Sequence, residues 1–431
     1  METIMRVTSS NSPFGLNHSN VLLLLLGAAC LAFFAALASC SGTSTADGPT
    51  DNLRVGVLLD ANNQTYPIGK IAITAIELAA EDFNRYMKEN GHTRQIELFV
   101  EDTQGDPQVA AEKIQGFAWA GIVPVFTGTS AEILAVSDYA QQNNHLLLSG
   151  YSTAPSLAKK DNRLFRFCLN DVKQAKGLVR LAKESNLESL VLVYRDDVYG
   201  NDLKTYVREI GEQYGLDIDD GVKYSPDETD FTAVAGRIEQ KVIQKKVENP
   251  PDSVAVLLIA LNEVTGIFQA ADGNAQLESV RWIGAVGVEP DATVFAETGT
   301  LEFAERVGFT VCDFGIEMAA IKKPFRHVPA KLQEKSGMAQ IPATAYMYYD
   351  AMWVLAESWL SIARMDSDLL EKNIYFQADT TLVCTVDIGM DEFGDREWGQ
   401  YQFYTIQGGE FEAVALILFY DWAVDGEFVW L

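Results

Sequence analysis

Residues 146–157 read LLLSGYSTAPSL. Leu146, Leu147 and Leu148 make a buried strand, the small and hydroxylated residues after them make a turn, and Pro155 stands where a helix can begin. A parallel strand that ends in such a turn leaves backbone N–H groups at its carboxyl end, which is where open α/β sheets hold their ligands. The stretch VPVFTGTSAEILAVSDYA, 123–140, has the same plan one unit upstream, with Gly128, Thr129 and Ser130 between a strand and a helix. Two such turns on neighbouring strands face one small anionic or zwitterionic ligand. They read as a binding site, without catalytic apparatus.

Outward from these turns the chain alternates strand and helix. LRVGVLLD is a first strand, IAITAIELAAEDFNRYMKEN is a helix with apolar residues at Ile73, Ile76, Ala80, Phe83 and Met87, and QIELFVEDTQGD is a strand. DPQVAAEKIQGFAWAG is a second helix, and RLFRFCLN a fifth strand. The cycle restarts near Asp171 with DVKQAKGLVRLAKESN, SLVLVYRDDVYGND, LKTYVREIGEQYG, VKYSPDETDF, TAVAGRIEQKVIQKK, SVAVLLIALNEVTG, RWIGAVGV and ERVGFTVCDF. Such alternation predicts parallel sheets with helices on both faces. IPATAYMYYDAMWVLAESWLSIA, from Ile341, is a long helix whose aromatic stripe (Tyr346, Tyr349, Trp353) has the spacing of a buried face. The segment from Leu382 to the region of Leu416 reads as strands joined by Asp/Gly turns.

Ahead of the folded part, 21–40 read VLLLLLGAACLAFFAALASC, long and apolar enough for a membrane anchor. It ends in Leu37-Ala38-Ser39-Cys40 and is followed by the polar stretch SGTSTADGPTDN. That order resembles the lipobox of bacterial lipoproteins, with Cys40 as the lipidated first residue of the mature chain. Either reading exports the remainder. The formal net charge is −27, and Glu2 and Arg6 cancel within the leader, so the mature part carries all of it. An acidic surface of this kind argues against nucleic acid and anionic lipid as partners. Besides Cys40, the mature chain holds Cys168, Cys312 and Cys384, each in an apolar strand-like setting and without a CxxC pair. They read as small buried hydrophobes, with one disulfide between two of them open in an exported protein.

The ordered series resembles the type I periplasmic binding proteins, in particular the branched-chain amino-acid receptor family of ABC transporters. RVGVLLD…YPIGK, VEDTQGDPQVA, FTGTSAEILAVSDYAQ, LLLSGYSTAP, YRDDVYGND, YSPDETDFTAVAGRI, RWIGAVGV, AYMYYDAMWVLAESW and MDEFGDREWGQYQFYTIQGGEF carry it, covering Leu53 to about Phe411. The resemblance implies two doubly wound parallel-sheet lobes joined by crossover strands near Cys168, Ile321 and Glu397. Lobe 1 would take 53–168 and 322–396, lobe 2 would take 169–321 and 397–431, and 1–39 and 40–52 would be signal peptide and tether. It also implies a carboxylate clamp from Ser130, Tyr151 and Thr153, with Tyr199 of the VYG loop over the ligand. Tyr66, in the loop after the first strand, is a further candidate for the cleft.

Four residues depart from the family pattern. Val286 stands where amino-acid binders carry a glutamate for the ligand ammonium, and a buried ammonium left unpaired costs several kcal/mol. Asn262 and Glu263 replace an expected aromatic residue, so either Glu263 supplies the carboxylate from a neighbouring loop or the ligand is not an α-amino acid. Tyr151 replaces a small residue and narrows or reshapes the cleft. Ser130 and Thr153 have a second reading as helix caps.

Other chemistries lack their motifs. MDEFGDREW has Phe393 at the third calcium-loop position, so it reads as a β-turn. The four histidines show no metal spacing, and G-x-S-x-G, G-x-G-x-x-G and P-loop patterns are missing. The expectation is a non-enzymatic, lipid-anchored solute-binding protein without cofactor that delivers a small polar ligand to an ABC permease. A ligand sensor for a signalling partner and a surface scaffold with a decayed cleft are the alternatives.

Overall fold

A computed structural model describes residues 52–63, 68–288, 290–385, 388–420 and 425–431. The leader, Cys40, the tether before Asn52 and Tyr66 lie outside the described residues.

The first sheet takes β1 (Leu53–Leu59), β2 (Ile96–Asp102), β3 (Pro124–Thr127), β4 (Leu146–Ser149) and β5 (Leu164–Arg166). Helices α1 (Gly69–Glu89), α2 (Pro107–Trp119) and α3 (Ser130–Gln142) connect them. All pairings are parallel, in the order β2-β1-β3-β4-β5. Both faces are covered, which is why β1 and β4 are near-continuous apolar runs. The order reverses between β1 and β3, so the crevice for a ligand opens at the carboxyl ends of those strands.

Residues 167–170 lead to a second sheet through α4 (Asp171–Glu184), β6 (Ser189–Arg195), α5 (Val198–Gln213), β7 (Asp217–Ile218), β8 (Val222–Tyr224) and α6 (Thr232–Glu248). It continues with β9 (Val254–Ile259), α7 (Val264–Ala271), β10 (Arg281–Gly284), α8 (Ala292–Glu297), α9 (Leu301–Arg306) and β11 (Thr310–Gly315). The chain then returns to the first sheet with α10 (Val328–Ser336), α11 (Ala343–Leu360) and α12 (Ser367–Thr380). It ends on the second with β12 (Gly399–Gln407), β13 (Glu410–Phe419) and β14 (Glu427–Trp430). The order is β14-β13-β12-β11-β10-β9-β6-β7, with β8 also on β6. Its last three strands join antiparallel. Gly408 and Gly409, at φ 59° and 84°, form the two-residue turn between β12 and β13 and suit the primed turn that matches strand twist.

Helix α11 is the aromatic helix expected from the sequence. Tyr346 and Tyr349 are buried in the core, and Trp353, half-buried, packs edge-on to Phe83 of α1. One apolar cluster runs from the first sheet through the crossings to one face of the second, joining Leu148, Phe167, Leu192, Cys312 and Tyr401. Cys168, Cys312 and Cys384 are free and buried in it.

The described residues between Thr381 and Glu397 form no strand, although their sequence suggests one. Their backbone is drawn instead to buried side chains: Asp350 accepts the N–H groups of Cys384 (2.7 Å) and Thr385 (2.9 Å). Asp391 closes the following turn by accepting from Phe393 and Asp395. Asp395 then takes a bidentate bond from Arg166 (2.6 and 2.5 Å), whose third nitrogen donates to Ala154 O. This fully buried pair ties two of the crossings to the turn after β4. None of the described helices is long and apolar enough to cross a membrane.

Candidate functional site

The first wall is built by the two turns that open the sequence reading. Thr129, not Ser130, caps α3 in a complete capping box: its hydroxyl accepts Glu132 N while the Glu132 carboxylate accepts Thr129 N at 2.8 Å. Burial pushes the Glu132 carboxyl above its ordinary range, against bonds from Thr103 and Thr129 that lower it. With the cap supplied by its neighbour, Ser130 turns its hydroxyl to the second turn. It lies 2.8 Å from the Ser152 hydroxyl and accepts Ala154 N at 3.2 Å. Ser149 Oγ holds the same turn by accepting Tyr151 N and Ser152 N while donating to Gly128 O. Thr153 is no cap either, since Ala154 precedes the short 3-10 turn Pro155–Leu157 without a side-chain bond.

The second wall comes from loops after β6, β9 and β10. Asp197 caps α5 through Gly200 N (2.9 Å) and binds Arg195 Nε (2.6 Å). Arg195 reaches Glu263 on its other side (2.6 Å), and Glu263 also accepts Leu261 N (2.8 Å). The wall's charges are thus spent on one another. Tyr199 donates its hydroxyl to Val286 O. Gly287 has φ 111°, and a Cβ there would lie 2.7 Å from Leu261 Cδ2 and 2.8 Å from Ala260 O, so only glycine lets this loop fold so closely.

Behind both walls lies Asp171, the first residue of α4 and fully buried. Its Oδ1 accepts Gln174 Nε2 (2.7 Å), and Gln174 Oε1 accepts Val286 N (2.9 Å). Asp171 N donates to Thr153 O at 2.9 Å. Burial pushes the carboxyl up to about 8, with Asp202 and Asp197 adding to the shift. The Thr153 hydroxyl and the Arg166 charge pull the other way. The Thr153 hydroxyl approaches the carboxyl group, yet among the described residues no bond of normal geometry satisfies Oδ2. A buried carboxylate oxygen without a donor is costly and calls for a partner.

Ser130, Tyr151, Thr153, Tyr199 and Val286 come together around one pocket with an empty volume of about 330 Å³. Thr129, Ala131, Asp197 and Leu261 complete its lining. Glu263 does not line it, because the residue is committed to Arg195 and Leu261 N. Asn262 does not line it either; its amide lies 3.5 Å from Asn63 O in the loop after β1. Sequence reasoning passed over Asp197, although it stands in the YRDDVYGND motif, and over Asp171, whose helix-opening LND gives no sign of the pocket. Among the described residues no group of three His, Cys, Asp or Glu side chains is placed to hold a metal.

A family model described as periplasmic binding protein matches residues 52–309. An uncharacterised protein of Methanocaldococcus jannaschii is 26% identical over 386 residues, 84% of this chain and 89% of that one. Among solved structures, a branched-chain amino acid transporter substrate-binding protein of Streptococcus pneumoniae in complex with isoleucine superposes with a TM-score of 0.69 at 18% identity, covering 88% of this chain and 100% of that one. A fatty acid ABC transporter substrate-binding protein from Thermomonospora curvata has the same TM-score at 16% identity, covering 85% and 93%. These neighbours share the fold and differ in ligand class, so the ligand is decided by the site. With the family model spanning more than half of its length, the chain belongs to the periplasmic binding protein family, of type I fold.

Proposed function

We propose that this chain is an extracytoplasmic, lipid-anchored solute-binding protein that closes on an α-amino acid and hands it to an ABC permease. One observation carries the reading: the pocket joins the N-terminal turn of α3 to the Ser130 and Thr153 hydroxyls, and behind Thr153, outside the lining, lies the buried carboxyl group of Asp171 with one oxygen lacking a bond of normal geometry. The helix turn and hydroxyls suit the ligand carboxylate. The ammonium, which Val286 cannot pair, goes to Asp171, entering before the lobes close by a hinge motion at the crossings. An ammonium beside Asp171 favours its ionised form and offsets the burial that otherwise protonates it. The tether and Cys40 would hold the protein at a membrane surface, and delivery to a permease follows the habit of the family.

A thermal-shift panel on the full-length protein tests this, comparing α-amino acids with carboxylates lacking the amine and amines lacking the carboxylate. A ligand at 100 times its Kd stabilises the native state by about 2.7 kcal/mol. Response confined to zwitterions is expected; response to plain carboxylates, or silence, contradicts the reading. Cys40→Ala should move the protein out of the membrane fraction, and its retention there would remove the lipid anchor.

A further inference from the structure

Four of the pocket's nine lining residues, Tyr151, Tyr199, Leu261 and Val286, are large and apolar, and one of them crosses the gap. Tyr151 belongs to the first wall, its N–H held by Ser149 Oγ at 3.1 Å. Tyr151 is 6% exposed and packs in the same apolar cluster as Leu261, Val286 and Tyr199 of the second wall. A Cβ built on Gly287 would lie 3.6 Å from the Tyr151 hydroxyl oxygen, so the phenol reaches the loop after β10 on the far side. Of the polar members of the lining, Ser130 and Thr153 are assigned to the ligand carboxylate, while Thr129 and Asp197 are held as helix caps. What remains for a ligand side chain is bounded by Tyr151, Leu261 and Val286.

That boundary cannot retreat cheaply. Leu261 and Val286 are nearly fully buried, and the space beside Gly287 is too small even for a Cβ, which would meet Leu261 and Ala260 O. We infer that Tyr151 sets the size of the ligand side chain: the cleft takes α-amino acids with a short side chain, in the range of glycine, alanine and serine, and excludes branched aliphatic and aromatic ones. This rests on the α-amino-acid reading proposed above.

Titration calorimetry of the full-length protein and its variants with L-alanine, L-leucine and L-phenylalanine tests it. The native protein should prefer alanine to leucine by about tenfold or more, the scale on which a pocket discriminates by methylene groups. Tyr151→Ala should shift that ratio toward leucine by about tenfold or more. Tyr151→Phe, which keeps the ring, should leave it unchanged. If Tyr151→Ala does not fold, Tyr151→Leu provides the same test with a smaller expected shift. A native protein that takes leucine as tightly as alanine overturns the inference, and so does a Tyr151→Ala protein with the native ratio. Binding of no amino acid by the native protein overturns the α-amino-acid reading itself, a result distinct from binding without size preference.

Discussion

The two walls of the cleft are built on opposite principles. On the first, hydroxyls and a helix N-terminus are held by short-range bonds: Thr129 caps, Ser149 pins the turn, and Ser130 joins the two turns. On the second, Asp197, Arg195 and Glu263 form a closed chain of charges, and the pocket is otherwise met by Leu261, Val286 and Tyr199. The contrast teaches that a charged residue near a site is not thereby a residue of the site. A charge already paired and buried has little left for a ligand, whereas Asp171 has one oxygen still to satisfy.

Asp171→Asn should have the largest effect. An amino-acid ligand would lose about 100-fold or more in affinity by calorimetry, because its ammonium would be buried without a countercharge. The same change should raise the melting temperature of the ligand-free protein at pH 8. Folding lifts the Asp171 pKa from the carboxylate range to about 8. The native state therefore binds the extra proton, and stability is lost as pH rises between about 4 and 8. Lower affinity with a lower melting temperature would mean that Asp171 is structural only.

Ser130→Ala comes next. Loss of one hydrogen bond to a charged group costs about 1.5–3 kcal/mol, or roughly ten- to a hundredfold in affinity. Because Ser130 also accepts Ala154 N and meets the Ser152 hydroxyl, this variant should lose about 1–3 kcal/mol of stability as well, and Thr129→Ala, which removes the helix cap, about 1 kcal/mol. A Ser130→Ala protein that binds normally but melts early would return the residue to a structural role.

Glu263→Gln should matter least for binding. Affinity should change by less than about threefold while stability falls by about 1–3 kcal/mol, since Arg195 would lose a charged partner. Abolished binding would show that the second wall supplies the ammonium partner, and the contrast between the walls would collapse.

Much of the first wall was legible from local pattern alone. The strand–turn–helix units around Ser130 and Thr153 are contiguous in the chain, and even the cap at Thr129 is announced by Thr-Ser-Ala-Glu, a capping-box signature that reading for Ser130 passed over. The second wall was less legible because its relations are long-range. Arg195 and Glu263 meet only when β6 and β9 pair, which removes Glu263 from the pocket that its loop position suggests. Asp171 gains its place from the crossing at 167–170, which sets the start of α4 beneath the turn after β4. Helices α10 and α12 were passed over as well: VPAKLQEKS is short and buries only Val328 and Leu332, whereas SDLLEKNIYFQADT carries a readable helical spacing in Leu370, Ile374 and Ala378.

The most direct test of the central claim is the proton balance of binding. Titration of the full-length protein with L-alanine at pH 7, in two buffers of different ionisation enthalpy, measures it. The groups coupled to Asp171 are Arg166, Asp197, Asp202, Tyr199, Tyr206, Tyr401, Cys168 and Cys312. Arg166 is fixed on Asp395, and burial raises the pKa of the three phenols and both thiols, so they stay neutral at pH 7. With its pKa near 8, Asp171 is mostly protonated before binding and ionised beside an ammonium afterwards, so close to one proton should leave per ligand. Affinity should then rise about tenfold per pH unit up to pH 8 and level off above it. Binding with no proton released, and no change between pH 6 and pH 8, would contradict a role for Asp171 as the ammonium partner.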